Sequence, residues 1–362
     1  MTQAPVCFLN LDSVNVTPYF SMYERLLHSK YDLIYWDRSE NDEKTAAVNV
    51  YRYSHPVRKN PKVLNFKDLF TGYLGFRQFA KKILCNNDYK LVIALTGNVA
   101  VLLGSTLKKK YRGKYIMDIR DYFLEDFSLY KQIEQSVIDS AALALISSPS
   151  FVSFLGKHDF KIIHNIQSIK PTEANAIRER QHKCKPFVLA NIGTAKTLDL
   201  DIETIKYFAN DKRFELRYIG RGFEVLNRFC EENNIWNVKA SGDFPSTRTI
   251  EFYRDLDGIL SLFGNERTNF IHCLPNKLYY AAQLELPIIV TPNTYMSEVV
   301  EDYSLGLGLD LEDYSVKETI LNFYAPDITE ARKRGAERFM TMVESQNEEA
   351  YDAILKVLSD CL

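Results

Sequence analysis

The sequence has no Cys-x-x-Cys pair, no His-x-His or His-x-x-Glu-His grouping, no Gly-x-Ser-x-Gly and no Gly-x-x-x-x-Gly-Lys loop. Those absences leave zinc chemistry, serine hydrolysis and P-loop phosphoryl transfer without an anchor, so no metal or other cofactor is expected. Its six cysteines, Cys7, Cys85, Cys184, Cys230, Cys273 and Cys361, lie far apart, the pattern of free thiols in a reducing compartment. No uninterrupted apolar run is long enough to span a bilayer. The opening "MTQAPVCFLNLDSVNV" lacks a basic region followed by a long apolar core, so a secretory signal is not expected and the protein reads as cytoplasmic. Glycine (15) and proline (12) are sparse, with no low-complexity tract among the 362 residues. Net charge is only −2, which argues against a chain-wide nucleic-acid surface.

What is present is an ordinary folded composition, 46% hydrophobic and 25% charged, at a length that predicts two domains. Charge divides unevenly. Residues 1–173 hold 23 Lys+Arg against 17 Asp+Glu, and the remainder 22 against 30. A basic first half fits contact with an anionic surface such as a membrane face, though ordinary scatter gives the same numbers.

Short apolar runs alternate with amphipathic segments, which predicts parallel strands joined by helical crossovers. In the first half the strands are "PVCFLNL", "DLIYWD", "KLVIALTG", "KYIMDIRD", "LALISSPS" and "KIIHNI"; "NVAVLLGSTLKKKY" is a single helix between two of them. The polar interval Lys170 to Pro186 reads as a linker, and the alternation restarts with "FVLANIGTA". The expected fold class is α/β: two Rossmann-like domains, 1–170 and 186–342, whose parallel sheets face each other across a cleft, with ligands beyond the strands' carboxyl ends.

Three places in the second domain fall at that edge. "NIGTAK" puts Gly193, Thr194 and Lys196 after one strand, "YIGRG" puts Gly220 and Arg221 after the next, and "LPNK" places Pro275, Asn276 and Lys277 at a helix start. Glycines let backbone approach a ligand, helix starts favour anions, and Lys196, Arg221 and Lys277 offer positive charge for a diphosphate. Each alone is more often a plain turn than a ligand site; together they favour a phosphate site. In the first domain "DIRDY" supplies Asp118, Arg120 and Asp121, where an exposed acid could touch an acceptor or act as a base. The bland alternative is that these residues pair with one another. Asp12, Ser13, Asn15 and Thr17 are weaker acceptor candidates. The segment Phe66 to Leu84 is basic and aromatic, fit either for a membrane interface or for packing on its own sheet.

The order "KYIMDIRDY", "KIIHNI", "FVLANIGTAK", "FELRYIGRG", "PNKLYYAAQLELPIIVTPNTYMSEVVEDYSLGLGLD" resembles the family-4 type glycosyltransferases of the GT-B fold, over about Lys114 to Asp310. The resemblance implies a nucleotide-sugar donor, UDP-linked first among them, in the C-terminal domain. It implies a glycan or lipid-linked acceptor on the N-terminal domain and a final helix, 343–362, returning to that domain. It further implies retaining, metal-independent transfer in bacterial capsule or lipopolysaccharide synthesis, at the inner membrane face. It places the nucleotide base against the loop Gly242 to Ser246, with Phe244 or Pro245 as an apolar wall. The family's two donor-holding glutamates fall on His272 and Tyr280, and its helix-end glycine on Glu285. His272 could hydrogen-bond a sugar or phosphate and Tyr280 a ribose, or Tyr280 could simply pack. His272, Asp121 and Lys277 are the catalytic candidates. The missing carboxylates keep open a second reading, a GT-B accessory or glycan-binding subunit without donor turnover; an epimerase acting on a nucleotide sugar ranks last.

Overall fold

Runs such as "VCFLN" and "FVLANI" are apolar on both sides of the chain, so they are stable only as strands covered on both faces. In the computed structural model, which describes residues 3–14, 17, 19–38, 45–55, 66–179 and 186–362, they form two parallel sheets. The chain divides into two compact units, Met1–Asn165 with Ser345–Leu362, and Ile166–Glu344.

Among the described residues the first unit has seven strands: β1 (Val6–Asn10), β2 (Tyr31–Asp37), β3 (Val50–Ser54), β4 (Leu91–Ala94), β5 (Tyr115–Ile119), β6 (Leu143–Ile146) and β7 (Phe160–Ile162). They lie in the order β3-β2-β1-β4-β5-β6-β7, all parallel. The second unit has β8 (Phe187–Ile192), β9 (Phe214–Ile219), β10 (Val238–Ser241), β11 (Gly258–Ser261), β12 (Ile288–Val290) and β13 (Gly306–Gly308). Their order is β10-β9-β8-β11-β12-β13. Order reverses beside β1 in one sheet and beside β8 in the other, which opens a crevice at those strands' carboxyl ends. The two-residue period is visible in the core. Val188, Ala190 and Ile192 of β8 join the apolar layer on one face, while Phe187 and Leu189 join the layer on the other.

Three local features differ from the sequence reading. Strand β3 escapes notice because it is an edge strand with its side chains alternately exposed and half-buried; Arg52 pairs there with Asp37 of β2. The interval after Lys170 is a helix, Pro171–Arg178, rather than linker. Ala174 and Ile177, one turn apart, bury against the second unit's core, and Arg178 donates to the Gln283 carbonyl at 3.0 and 2.6 Å. The single helix expected between β4 and β5 is two, Gly97–Leu102 and Gly104–Lys110. The break lets Gly104 approach helix Ser128–Ile138 so closely that a Cβ there would stand 2.6 Å from Val137 Cγ2.

The last helix, Pro326–Cys361, is continuous over 36 residues. Ala336, Phe339 and Val343 pack in the second unit's core; Ala350, Ile354 and Leu358 pack in the first unit's. Cys7, Cys85, Cys230 and Cys361 are free thiols, and Cys184 lies outside the described residues. Among the described residues no helix is long and apolar enough to cross a membrane.

Candidate functional site

The second unit gathers most of the candidate residues at the carboxyl ends of β8, β9 and β11. Gly193 and Gly220 follow β8 and β9 with φ of 136° and 131°. Gly193 N–H donates to the Ile219 carbonyl at 2.8 Å and Ala195 N–H to the Arg221 carbonyl at 2.9 Å, so the two turns are laced together. A Cβ on Gly220 would stand 1.8 Å from the Gly193 oxygen, which explains the glycine there. A Cβ on Gly193 would meet nothing within 4 Å. Thr194 and Lys196 follow on the exposed side of the first turn.

Pro275 caps helix Asn276–Leu284 with φ −69° and ψ 155°, and Asn276 opens its first turn. Proline suits this position because its fixed φ matches the helix entry. The following Lys277 is 9% exposed. Its Nζ donates to Asn191 Oδ1 of β8, whose Nδ2 donates to Asp201 Oδ1 at 3.0 Å on helix Leu198–Phe208. Nζ also lies 5.1 Å from the centre of the Phe263 ring, and Lys196 Nζ lies 5.5 Å from the same ring. Phe263 is placed by Thr291 Oγ1, which accepts from the backbone N–H of Phe263 (3.0 Å) and of Gly264 (3.1 Å). Burial pushes Lys277 down to about 7, with Asp201 opposing and Lys196 adding to the fall. Burial likewise pushes Asp201 up to about 6. The arrangement is two ammonium groups sharing one aromatic ring beside a helix start and two glycine turns, a site with surplus positive charge for an anion.

The other candidates stand apart from this core. Arg221 is exposed and donates to Asp243 Oδ2 at 3.0 and 2.7 Å, a solvent-side pair that a ligand must compete with. Phe244, in the loop after β10, rests on Phe252 with ring centres 4.6 Å apart. Tyr280 stacks on Tyr253 at 4.8 Å and 24°, so the packing alternative describes its ring. His272 ends helix Thr268–His272; burial lowers its pKa, and Glu298 acts against that. Glu285 takes the left-handed conformation, φ 56°, at the end of its helix. That conformation costs an L-residue roughly 1–2 kcal/mol. Against this cost its carboxylate pairs with Arg178 at 3.3 Å and its carbonyl accepts from Arg332 Nε at 3.0 Å.

In the first unit the exposed-acid reading fails for Asp118. Its carboxylate is fully buried and pairs with Arg120 Nε at 2.6 Å, while Tyr23 donates to it at 2.8 Å. Arg120 also donates to the Ile163 carbonyl at 3.0 Å and lies 4.1 Å from the Tyr19 ring, a structural knot under the strand ends. Asp121 is exposed. Thr17 is buried, accepting from Asn10 Nδ2 at 2.9 Å and donating to the Ser13 carbonyl at 3.1 Å; Asn15 lies outside the described residues.

Sequence reasoning missed Asn191, Asp201, Phe263 and Ser261. A lone asparagine inside the buried run "FVLANI" was a visible signal. Ser261 ends β11, and its hydroxyl is buried without a partner in the wall of a small cavity that Phe263, Cys273 and Pro275 also line. Among the described residues no group of three or more His, Cys, Asp or Glu could hold a metal ion.

The paired parallel sheets with a helix contributing to both units define the GT-B fold, and comparison with solved structures returns it. The chain superposes on WaaG, a glycosyltransferase involved in lipopolysaccharide biosynthesis, with a TM-score of 0.64 at 15% identity over 96% of this chain and 98% of that one. It superposes on sucrose-phosphate synthase from Thermosynechococcus elongatus with a TM-score of 0.69 at 12% identity, covering 99% and 100%. Anabaena HepE in complex with UDP-glucose matches with a TM-score of 0.63 at 11% identity over 97% and 99%. No protein-family model matches the chain, and no curated protein matches it significantly.

Proposed function

We propose that the chain is a glycosyltransferase that moves a sugar from a nucleoside-diphosphate donor, a UDP-sugar first among them, to a growing glycan or lipid-linked acceptor in bacterial surface polysaccharide synthesis. The observation that carries this reading is the pair Lys196 and Lys277 over Phe263, beside the helix start at Pro275 and the turns at Gly193 and Gly220. Such a cluster holds a diphosphate and stabilises it as the leaving group when the sugar bond breaks. The same positive charges supply what a divalent ion supplies elsewhere, so transfer is read as metal-independent. Retention follows only from the resemblance; there the acceptor hydroxyl and the leaving phosphate sit on one sugar face and no side-chain nucleophile is needed. Anabaena HepE, on which the chain superposes, holds UDP, UDP-glucose, or UDP with glucose in three separate complexes, and the same donor chemistry is proposed here.

A thermal-shift panel of UDP, GDP, dTDP, CDP and their sugar conjugates tests it. A ligand at a hundred times its Kd adds roughly 2.7 kcal/mol, an easily seen rise. One nucleotide should respond, and a chelator should leave the response unchanged. Silence across the panel moves the weight to the accessory-subunit reading, which the replacement of the family's two donor-holding glutamates by His272 and Tyr280 favours.

We also place the first unit against an anionic membrane. Helix Phe66–Asn86 buries Phe76, Ala80 and Leu84 on its sheet yet leaves Phe70 64% exposed and Leu74 exposed. Tyr73 between them contacts Phe123, whose loop and following helix expose Leu124, Phe127 (67%) and Leu129 (70%). Lys81 and Lys82 continue the same helix on the solvent side. The protein should co-sediment with vesicles containing anionic lipid, and Phe127→Asp with Leu129→Asp should abolish this without changing the melting temperature. Equal sedimentation of the double variant removes this face from the membrane.

A further inference from the structure

Of the three site cations, Lys277 alone is buried. Arg221 and Lys196 are exposed, and Arg221 already has Asp243. The Lys277 ammonium faces a neutral amide, Asn191 Oδ1. Asp201 stands behind that amide, its Oδ1 engaged by Asn191 Nδ2 at 3.0 Å. A second ammonium, Lys196, shares the Phe263 ring with it. The groups that bear on Lys277 are therefore Asp201 from helix Leu198–Phe208 and Lys196 from the turn after β8. Strand β8 presents only a neutral amide, and the loop after β11 only a ring. A buried ammonium with no carboxylate touching it gives up its proton readily.

We propose that, on the donor-binding reading above, a nucleoside diphosphate enters this site together with a proton: the empty site holds Lys277 partly as the neutral amine, and the arriving phosphates draw a proton from solvent onto its Nζ. The amine becomes an ammonium and no other bond changes. Burial supports this by bringing Lys277 down to about 7 in the empty site. Below that pH the group is already charged and binding takes up nothing; above it every binding event must supply a proton. Affinity for the diphosphate then falls as pH rises through 7, and release of the nucleotide product returns the proton to solvent.

Two other groups titrate nearby, and each leaves a different mark. The terminal phosphate of a nucleoside diphosphate has a pKa of about 6; contact with cations lowers it, so the phosphate releases protons on binding. Asp201, raised to about 6 by burial, could take up a proton beside an anion, but that uptake fades between pH 6 and pH 8. Lys277 alone gives uptake that grows over the same interval.

The experiment is calorimetric titration of UDP into the full-length protein in buffers of different ionisation enthalpy at pH 6, 7 and 8. The share taken up by Lys277 should rise from about a tenth of a proton at pH 6 to about nine-tenths at pH 8, and because the phosphate's release subtracts most near pH 6, the net count should climb more steeply still. Lys277→Arg keeps a cation that stays protonated, so it should bind UDP with no uptake at pH 8. UDP binding without uptake at pH 8, uptake that declines from pH 6 to pH 8, or full uptake retained in Lys277→Arg would each overturn the proposal while leaving the donor site standing. If Lys277→Arg does not fold, the pH trend of the unaltered protein decides. Failure of UDP and every other nucleoside diphosphate to bind at any pH overturns the donor reading itself, and the proposal with it.

Discussion

Lys277→Ala should weaken UDP binding at least tenfold, about 1.4 kcal/mol, while changing the stability of the protein by about 1 kcal/mol or less. Both halves follow from the same geometry. The side chain lies in the first turn of helix Asn276–Leu284, where alanine is the best helix former, so the backbone has no reason to move. Burying an amine is costly whether it keeps its charge or gives up its proton, and removing it relieves that cost. What is lost in return is one hydrogen bond to Asn191 Oδ1 and the contact with the Phe263 ring. These terms oppose each other, which keeps the change in stability small. Binding has no such compensation, because a charge-assisted hydrogen bond to a phosphate contributes about 1.5–3 kcal/mol. Lys196, exposed over the same ring, cannot reproduce a buried contact.

Calorimetric Kd and a melting curve on the same preparation check the claim. An unchanged Kd removes Lys277 from the site. A large loss of melting temperature would instead make Lys277 structural, and Lys277→Met, which keeps the buried volume, then separates packing from charge. A cation retained at a cost to its own unit is the signature of a binding residue rather than of a core residue.

Why this lysine was legible and its partners were not is a matter of range. Pro-Asn-Lys at a helix start is a local pattern, and so are Gly193 and Gly220 after strands. Each is fixed by backbone needs that neighbouring residues reveal. The alternation of parallel strands was legible for the same reason, because burial on both faces leaves β1, β8 and β12 apolar but for Asn10 and Asn191. Asn191, Asp201 and Phe263 come from three different elements, and nothing in the order of residues says that they meet. Asp118 shows a different limit. "DIRD" reads either as an exposed acidic edge or as residues that pair with one another, and the fold takes the second for Asp118, whose fully buried carboxylate is held by Arg120 and Tyr23. Helix Pro171–Arg178 was hidden by its charge, since only Ala174 and Ile177 face the core. Glu285 in a left-handed position was hidden because its support comes from Arg178 and Arg332, about 107 and 47 residues away in sequence.

Gly220→Ala and Gly193→Ala should part company, although the two glycines have nearly the same φ, 131° and 136°. Both alanines pay for a positive φ, about 1–2 kcal/mol each. At Gly220 the new methyl would also stand 1.8 Å from the Gly193 oxygen and 2.8 Å from its carbonyl carbon, atoms of backbone that cannot rotate away. Relief requires breaking the bonds that lace the turns, Gly193 N–H to Ile219 and Ala195 N–H to Arg221, at about 1 kcal/mol apiece. The total of about 3–4 kcal/mol should lower the melting temperature of the second unit by roughly 6–16 °C. At Gly193 the methyl meets no protein atom, so the fold keeps most of its stability, but the space it enters is where backbone would approach a diphosphate. Gly193→Ala should therefore melt only a few degrees below the unaltered protein and bind UDP weakly. Equal melting of the two variants would show that the turns can separate without cost. Undiminished UDP binding by Gly193→Ala would move the phosphates away from β8, toward the helix start at Pro275 and the lysine pair.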